Sequence, residues 1–488
     1  MARLVKAWPC LVSAVLINLA FPPFNLGLLV LAGLVPWLTS LKDCGGKQGF
    51  RSGWTFGFLL MLGQMFWMFT FINRWVQNPI LSLIPYVLGC AYLALFFGLL
   101  GTLGSMSWRH KMPWAIPLLW AGLEIARSYI PVLAFPYSLI ATPLWTFPWM
   151  IQGAYFGSIY LVSAWVVVVN LFLVMALAKG SSWRQVRGYF AVVVLVLLGS
   201  FVRFNDELPT KRVAVSVGQP GADLAFGDRD ENALKIQREV DLFTAQAMLN
   251  GSELLVLPEG IAGGSGAFPP VPPFGVNEKM PVIFGGQRGS KPRYQTAFSF
   301  DGTWKYADKT RLVVFGEFVP LRNQLPFLSS AFNLPGGDLQ AAFEVKSLDV
   351  GGHRVGPLLC FEGLFPDIAY RQALNGSQLL AVMSVDDWYM GTTAPDQLKA
   401  GSVWRAVETG LPLVRAASLG YSFAVDSRGR VLREVPTGSA QIFRVELPIA
   451  PANPFPLFAV FPLAALSSLI LLPIGVWVSN RKLNRKQS

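Results

Sequence analysis

Apolar runs of roughly 20 residues recur near 8 to 22, 25 to 41, 53 to 72, 80 to 105, 112 to 130, 157 to 178 and 188 to 204, and one more lies near 456 to 478. A helix needs about 20 apolar residues to cross a hydrocarbon core, so the pattern predicts a polytopic α-helical membrane domain. Hydrophobic residues make up 53% of the 488-residue chain, which excludes a soluble globular protein throughout. The first run follows Arg3 and Lys6 but leads through Phe21-Pro22-Pro23 into another apolar run, so it reads as a retained helix rather than a cleaved signal.

Basic residues fix the expected orientation, because short loops rich in Lys and Arg stay in the cytoplasm. Arg3 and Lys6, then Lys42, Lys47 and Arg51, then Arg109 and Lys111, then Lys179, Arg184 and Arg187, and finally Arg481 to Lys486 fall on every second connection. About seven crossings then place the long polar stretch outside the cytoplasm. Three regions are expected: an N-terminal membrane domain over 1–208, an extracytoplasmic domain over 209–450, and a last helix with a basic cytoplasmic tail over 451–488. The net charge of +12 is thus a topology signal. Nucleic acid is not an expected partner, because the basic residues are spread over loops rather than gathered in a groove with stacking aromatics.

The polar stretch has the texture of an α/β domain. Val213 to Val217, Glu253 to Leu257, Val282 to Gly285, Gln295 to Phe300, Val355 to Cys360 and Leu379 to Ser384 read as strands, and Glu231 to Asn250, Asp367 to Asn375 and Pro395 to Thr409 as helices. The Asp301-Gly302 pair reads as a hairpin turn. Cys360 is the only cysteine of this stretch. It is either a buried strand cysteine or a nucleophile, and its company decides between them. Glu259 follows the Leu254 to Leu257 strand, and Lys309 precedes an apolar segment. Carboxyl ends of strands are where open α/β sheets collect their chemistry. A carboxylate that takes a thiol proton, an ammonium that favours thiolate and oxyanion, and a thiolate that attacks a carbonyl form a workable acyl-transfer set. His110 and His353 are not required, and no Cys or His spacing suggests a metal or another cofactor.

Leu257-Pro258-Glu259, the block from Lys309 to Phe315-Gly316-Glu317-Phe318-Val319-Pro320, Cys360-Phe361-Glu362 with Phe365-Pro366, Asp386-Asp387-Trp388, and Trp404 to Glu408 with Leu413 to Ala417 together resemble the nitrilase superfamily. Set between apolar runs, they resemble the apolipoprotein N-acyltransferases of bacterial inner membranes. The resemblance implies an αββα sandwich and a Glu259, Lys309, Cys360 triad supported by Glu317, Glu362 and Phe361. It also implies a ping-pong reaction, in which a phospholipid donates an acyl chain to the thiolate and a diacylglyceryl-cysteine apolipoprotein accepts it on its α-amino group. Trp388, Tyr389 and Gln295 are the expected substrate contacts.

Several positions depart from the family pattern: Phe361 stands where tyrosine is common, Arg311 where histidine is, Val314 where proline is, and Gln295 where asparagine is. Phe268 to Phe274 and Trp388 to Met390 either cover an opening at bilayer level or pack as ordinary loops. Glu124 and Arg127, inside an apolar run, call for a partner, a wet cavity or snorkelling. The alternative reading is a membrane-tethered amidase in which water resolves the thioester.

Overall fold

The computed structural model describes residues 7–180, 182–262, 279–320, 322, 324 and 338–487. It divides into two compact units, one of residues 1–205 and 456–488, the other of 206–455. The Phe268 to Phe274 segment lies outside the described residues.

The first unit is a polytopic helical membrane domain. Its helices are α1 (Trp8–Ala20), α2 (Val35–Ser40), α3 (Gly46–Gln64), α4 (Phe66–Val76), α5 (Pro79–Arg109), α6 (Ile116–Tyr129), α7 (Ala154–Ala176), α8 (Trp183–Asn205) and, after the second unit, α12 (Val460–Gln487). Among the described residues, four helices are long and apolar enough to cross a membrane, or five if α3 and α4, bent by 56°, count as one span. The pairing of α3 with α5 follows from composition. Gly49, Gly53 and Gly57 recur every fourth residue, and a Cβ at Gly53 would stand 2.0 Å from the Phe97 carbonyl oxygen, so only glycine allows these backbones to approach so closely.

The run from 25 to 41, expected as one helix, is instead a 3-10 turn over Gly27–Leu31 followed by the six-residue α2. Gly33 and Pro36 interrupt the regular ladder. Asn170 of α7 replaces it, accepting from Leu34 N at 2.9 Å and donating to Val30 O at 2.8 Å, so the break leaves these backbone groups satisfied. Glu124 and Arg127 are buried with local partners. Glu124 Oε1 accepts from Trp120 Nε1 at 3.0 Å and Ile140 N at 2.8 Å, and Arg127 Nη2 donates to Tyr137 O at 3.0 Å.

The second unit is an αββα sandwich. Its strands are β1 (Arg212–Gln219), β2 (Leu254–Val256), β3 (Val282–Arg288), β4 (Tyr294–Phe300), β5 (Trp304–Asp308), β6 (Leu348–Val350), β7 (His353–Leu359), β8 (Leu379–Ser384), β9 (Leu413–Ala417), β10 (Ser422–Val425), β11 (Val431–Val435) and β12 (Gln441–Pro448). One sheet runs β12-β1-β2-β3-β4-β5 and the other β11-β10-β9-β8-β7-β6. Alternation within strands makes the layers. Val213, Val215 and Val217 face the other sheet with Leu254 and Val256, where they meet Val355, Leu359, Ala381 and Met383. Leu255 and Leu257 point the opposite way, onto Ile236, Val240 and Phe243 of α9 (Arg229–Leu249). Each fully buried Val or Leu contributes about 1.5–3 kcal/mol relative to exposure. Helices α10 (Pro366–Leu374) and α11 (Ala394–Thr409) form the other outer layer.

Candidate active site

Topology brings the expected triad together. Strands β1, β2 and β3 are parallel, and β5 regains their direction after the antiparallel β4. Glu259 therefore emerges past the end of β2 and Lys309 past the end of β5, on the same edge of one sheet. Cys360 follows β7, which is parallel to β8 and β9 in the facing sheet.

Cys360 does not continue its strand. It adopts φ +48° and opens a 3-10 turn over Cys360–Leu364, so the β-strand changes direction at the candidate nucleophile. A left-handed conformation at a non-glycine residue costs of order 1–3 kcal/mol and persists only where the surroundings enforce it. Glu362 does so here. Its Oε2 accepts from Leu359 N at 3.0 Å, and its Oε1 accepts from Thr310 N and Thr310 Oγ1, both at 2.7 Å. One buried carboxylate thus ties the turn carrying Cys360 to the segment carrying Lys309. Phe361 lies outside this tie, its ring edge-on to Phe365 at 5.0 Å.

Lys309 is fully buried, with Nζ 2.6 Å from Glu317 Oε1 and 3.8 Å from Glu259 Oε1. Burial opposes its charge, but Glu317, Glu259 and Cys360 outweigh burial and hold its pKa above the usual lysine value. Glu317 is itself fixed, since its Oε2 accepts from Val313 N at 2.8 Å. The preceding residue, Asp308, is anchored by Arg288 Nε at 3.1 Å and Thr296 Oγ1 at 2.7 Å.

Burial pushes the Glu259 carboxyl up to about 7, Glu317 adds to the rise, and Lys309 and a hydrogen bond from Gln295 oppose it. Gln295 thus sits on Glu259 itself, deeply buried, at the start of β4. Gly285 packs against Glu259 so closely that a Cβ there would lie 2.6 Å from Glu259 Cα. Cys360 keeps partial solvent access. Its thiol is pushed up to about 12 by burial and then by Glu259, with Lys309 opposing. At neutral pH the set therefore rests as thiol, ammonium and a carboxyl group near its midpoint.

Tyr389, on the loop after β8, is half-buried, and burial with Cys360 nearby raises its hydroxyl pKa. Trp388 stacks edge-on against Phe226 at 5.8 Å. Three groups that sequence reading left unassigned hold this loop. Asp386 forms a buried pair with Arg415, Nη1 to Oδ2 and Nη2 to Oδ1 at 2.8 Å each. Asp387 accepts from Leu224 N at 2.8 Å and from Ser418 Oγ. The Asp386-Asp387 doublet at a strand end was the available signal. Among the described residues no cluster could hold a metal.

Residues 13–172 match the family model described as Apolipoprotein N-acyltransferase N-terminal domain, and residues 212–454 match that described as Carbon-nitrogen hydrolase. An Apolipoprotein N-acyltransferase of Geobacter metallireducens is 28% identical over 474 residues, spanning 91% of this chain and 89% of its own. One of Pseudomonas aeruginosa is 26% identical over 507 residues, spanning 95% of each chain. Among solved structures, Saccharomyces cerevisiae Nit3, a member of branch 10 of the nitrilase superfamily, is similar at 17% identity and a TM-score of 0.37, over 50% of this chain and 92% of that one.

Proposed function

Because the chain belongs to the apolipoprotein N-acyltransferase family, a membrane-embedded branch of the carbon-nitrogen hydrolase superfamily, we propose that it moves a fatty acyl chain from a phospholipid to the N-terminal diacylglyceryl-cysteine of apolipoproteins through a thioester on Cys360. The observation that carries this reading is the buried Lys309 ammonium, held by Glu317 at 2.6 Å and Glu259 at 3.8 Å beside the sharp turn at Cys360.

In the first half-reaction Sγ of Cys360 attacks the ester carbonyl carbon of the phospholipid, and the thiol proton passes to Glu259. Because the thiol, pushed up to about 12, holds its proton far more tightly than the Glu259 carboxylate at about 7 would, transfer accompanies attack rather than preceding it. The developing oxyanion is met by the Lys309 ammonium and the backbone N–H of Phe361. Collapse expels the lysophospholipid alkoxide, which recovers the proton from Glu259, and the thioester remains. In the second half-reaction the acceptor amine attacks the thioester carbonyl, Glu259 takes the amine proton, and the departing thiolate recovers it. Glu317 keeps Lys309 charged, Glu362 holds the turn, Gln295 orients Glu259, and Trp388 and Tyr389 face the substrates.

The same reading assigns seven crossings before residue 209 and one after 450, with the sandwich on the periplasmic side of the inner membrane. The alternation of Lys- and Arg-rich connections supports that orientation. The test is mass detection of a hydroxylamine-sensitive acyl adduct after incubating detergent-purified protein with phospholipid. An adduct on wild type and none on Cys360→Ala is expected; equal labelling of both would overturn the assignment of Cys360.

A further inference from the structure

Ser384 ends β8, wholly buried, at the register position beside Cys360. The parallel pairing matches Leu359 with Met383, so Ser384, still paired with Ala417 of β9, stands in the register next to the point where Cys360 leaves β7. Its hydroxyl donates to Asp386 Oδ1 at 2.7 Å, and its side chain opposes the burial that pushes the Cys360 thiol up. Asp386 does not depend on that donor. Arg415 already supplies two N–H groups, one to each carboxylate oxygen at 2.8 Å, and Arg415 Nη1 is held in turn by Tyr421 O at 2.7 Å. A buried carboxylate left unpaired is costly, but one held bidentately by arginine can release a third donor at little cost.

We propose that Ser384 is a positioning residue for the nucleophile, its hydroxyl swinging from Asp386 to Cys360 Sγ as the thiol proton leaves for Glu259. The Asp386–Arg415 pair is then the fixed seat from which the hydroxyl swings. No bond to carbon is made or broken in this step; one hydrogen bond is exchanged for another, toward the atom that gains negative charge. The other charged or titratable groups facing the thiol are Glu259, Lys309, Asp386 and Tyr389. Of these only Lys309 is cationic, so a neutral donor on the neighbouring strand β8 adds stabilisation that the ion pairs do not provide.

The inference rests on Cys360 being the nucleophile, and its test avoids lipid altogether. Iodoacetamide alkylation is followed at the peptide carrying Cys360, at about pH 8, where the rate reports thiolate. Losing one hydrogen bond to a charged group lowers the thiolate fraction about 10- to 100-fold, and the more basic thiolate recovers roughly half of that in nucleophilicity. Ser384→Ala and Ser384→Gly are therefore expected to alkylate about 3- to 10-fold more slowly, and Ser384→Thr, which keeps the hydroxyl, to return toward wild type. A packing role predicts the reverse order, with the smaller alanine tolerated and the larger threonine impaired. Alanine alkylating at or above the wild-type rate, or threonine no better than alanine, would overturn the proposal. If the alkylation order holds but phospholipid leaves no adduct on Cys360, the acyl-transfer reading fails and the Ser384 inference stands.

Discussion

Lys309 Nζ lies 2.6 Å from Glu317 Oε1, a direct ion pair on a lysine that is fully buried at the end of β5. The second carboxylate, Glu259, stands further off at 3.8 Å. The closer partner therefore does most to hold the charge, and the more distant one is the proposed proton acceptor.

Glu317→Gln removes that compensation from a buried cation. Breaking a buried pair costs about 3–5 kcal/mol, and the resulting drop in the Lys309 pKa weakens oxyanion stabilisation. Thioester formation is expected to slow about 100-fold or more, with a lowered unfolding temperature. Single-turnover adduct formation alongside thermal unfolding checks both.

The pH profile follows from Glu259. Burial raises its pKa to about 7, so the base is carboxylate only above that value. Thioester formation should climb as pH rises through about 7 and then level off, and Glu259→Gln should remove the climb. Stability runs the other way. The folded carboxyl binds its proton more tightly than the unfolded one at 4.5, so its contribution is fullest below that pH and declines as pH rises toward 7.

Gly285→Ala would set a Cβ 2.6 Å from the Glu259 backbone, where no flexible side chain can yield. The expected loss is about 1–3 kcal/mol of stability, together with a displaced base. Unfolding in detergent and adduct formation should both suffer, whereas Gly188→Ala, with nothing within 4 Å of the added Cβ and no positive φ, should leave adduct formation intact.

Glu362→Gln places an amide N–H₂ where two donors now point from opposite sides, Leu359 N and Thr310 N. One of them loses its acceptor, at a cost of about 1–3 kcal/mol. Because that carboxylate ties the Cys360 turn to the Lys309 segment, acylation should fall, and because its charge also helps to raise the Glu259 pKa, the pH midpoint should move down. A profile whose climb through that midpoint is lost altogether would instead assign Glu362 to proton transfer.

The sandwich was legible where alternation is strong. Val213, Val215 and Val217, or Leu254 and Val256 against Leu255 and Leu257, declare two faces by period alone. The candidate site was legible because Glu259 and Cys360 each close an apolar run and Lys309 precedes one. Other features depend on partners remote in sequence. The β12 strand returns to pair with β1, Arg212 opposite Pro448, and no local signal announces that register. The break at Gly33 is stable because Asn170 supplies its hydrogen bonds from α7. The positive φ of Cys360 is enforced by Glu362 and the Lys309 segment, so a strand reading carried through Cys360 ran one residue too far. Gln295 showed as a polar residue at a strand start, but only the fold sets it on Glu259.

The central claim is that an amine, rather than water, resolves the thioester. Acyl-enzyme freed of phospholipid should be offered a diacylglyceryl-cysteine peptide or buffer alone, and the loss of the Cys360 adduct followed by mass. The account predicts rapid discharge with the acyl chain on the peptide α-amino group, and slow discharge in buffer. Clearance by water as fast as by peptide, with free fatty acid as the product, would contradict it.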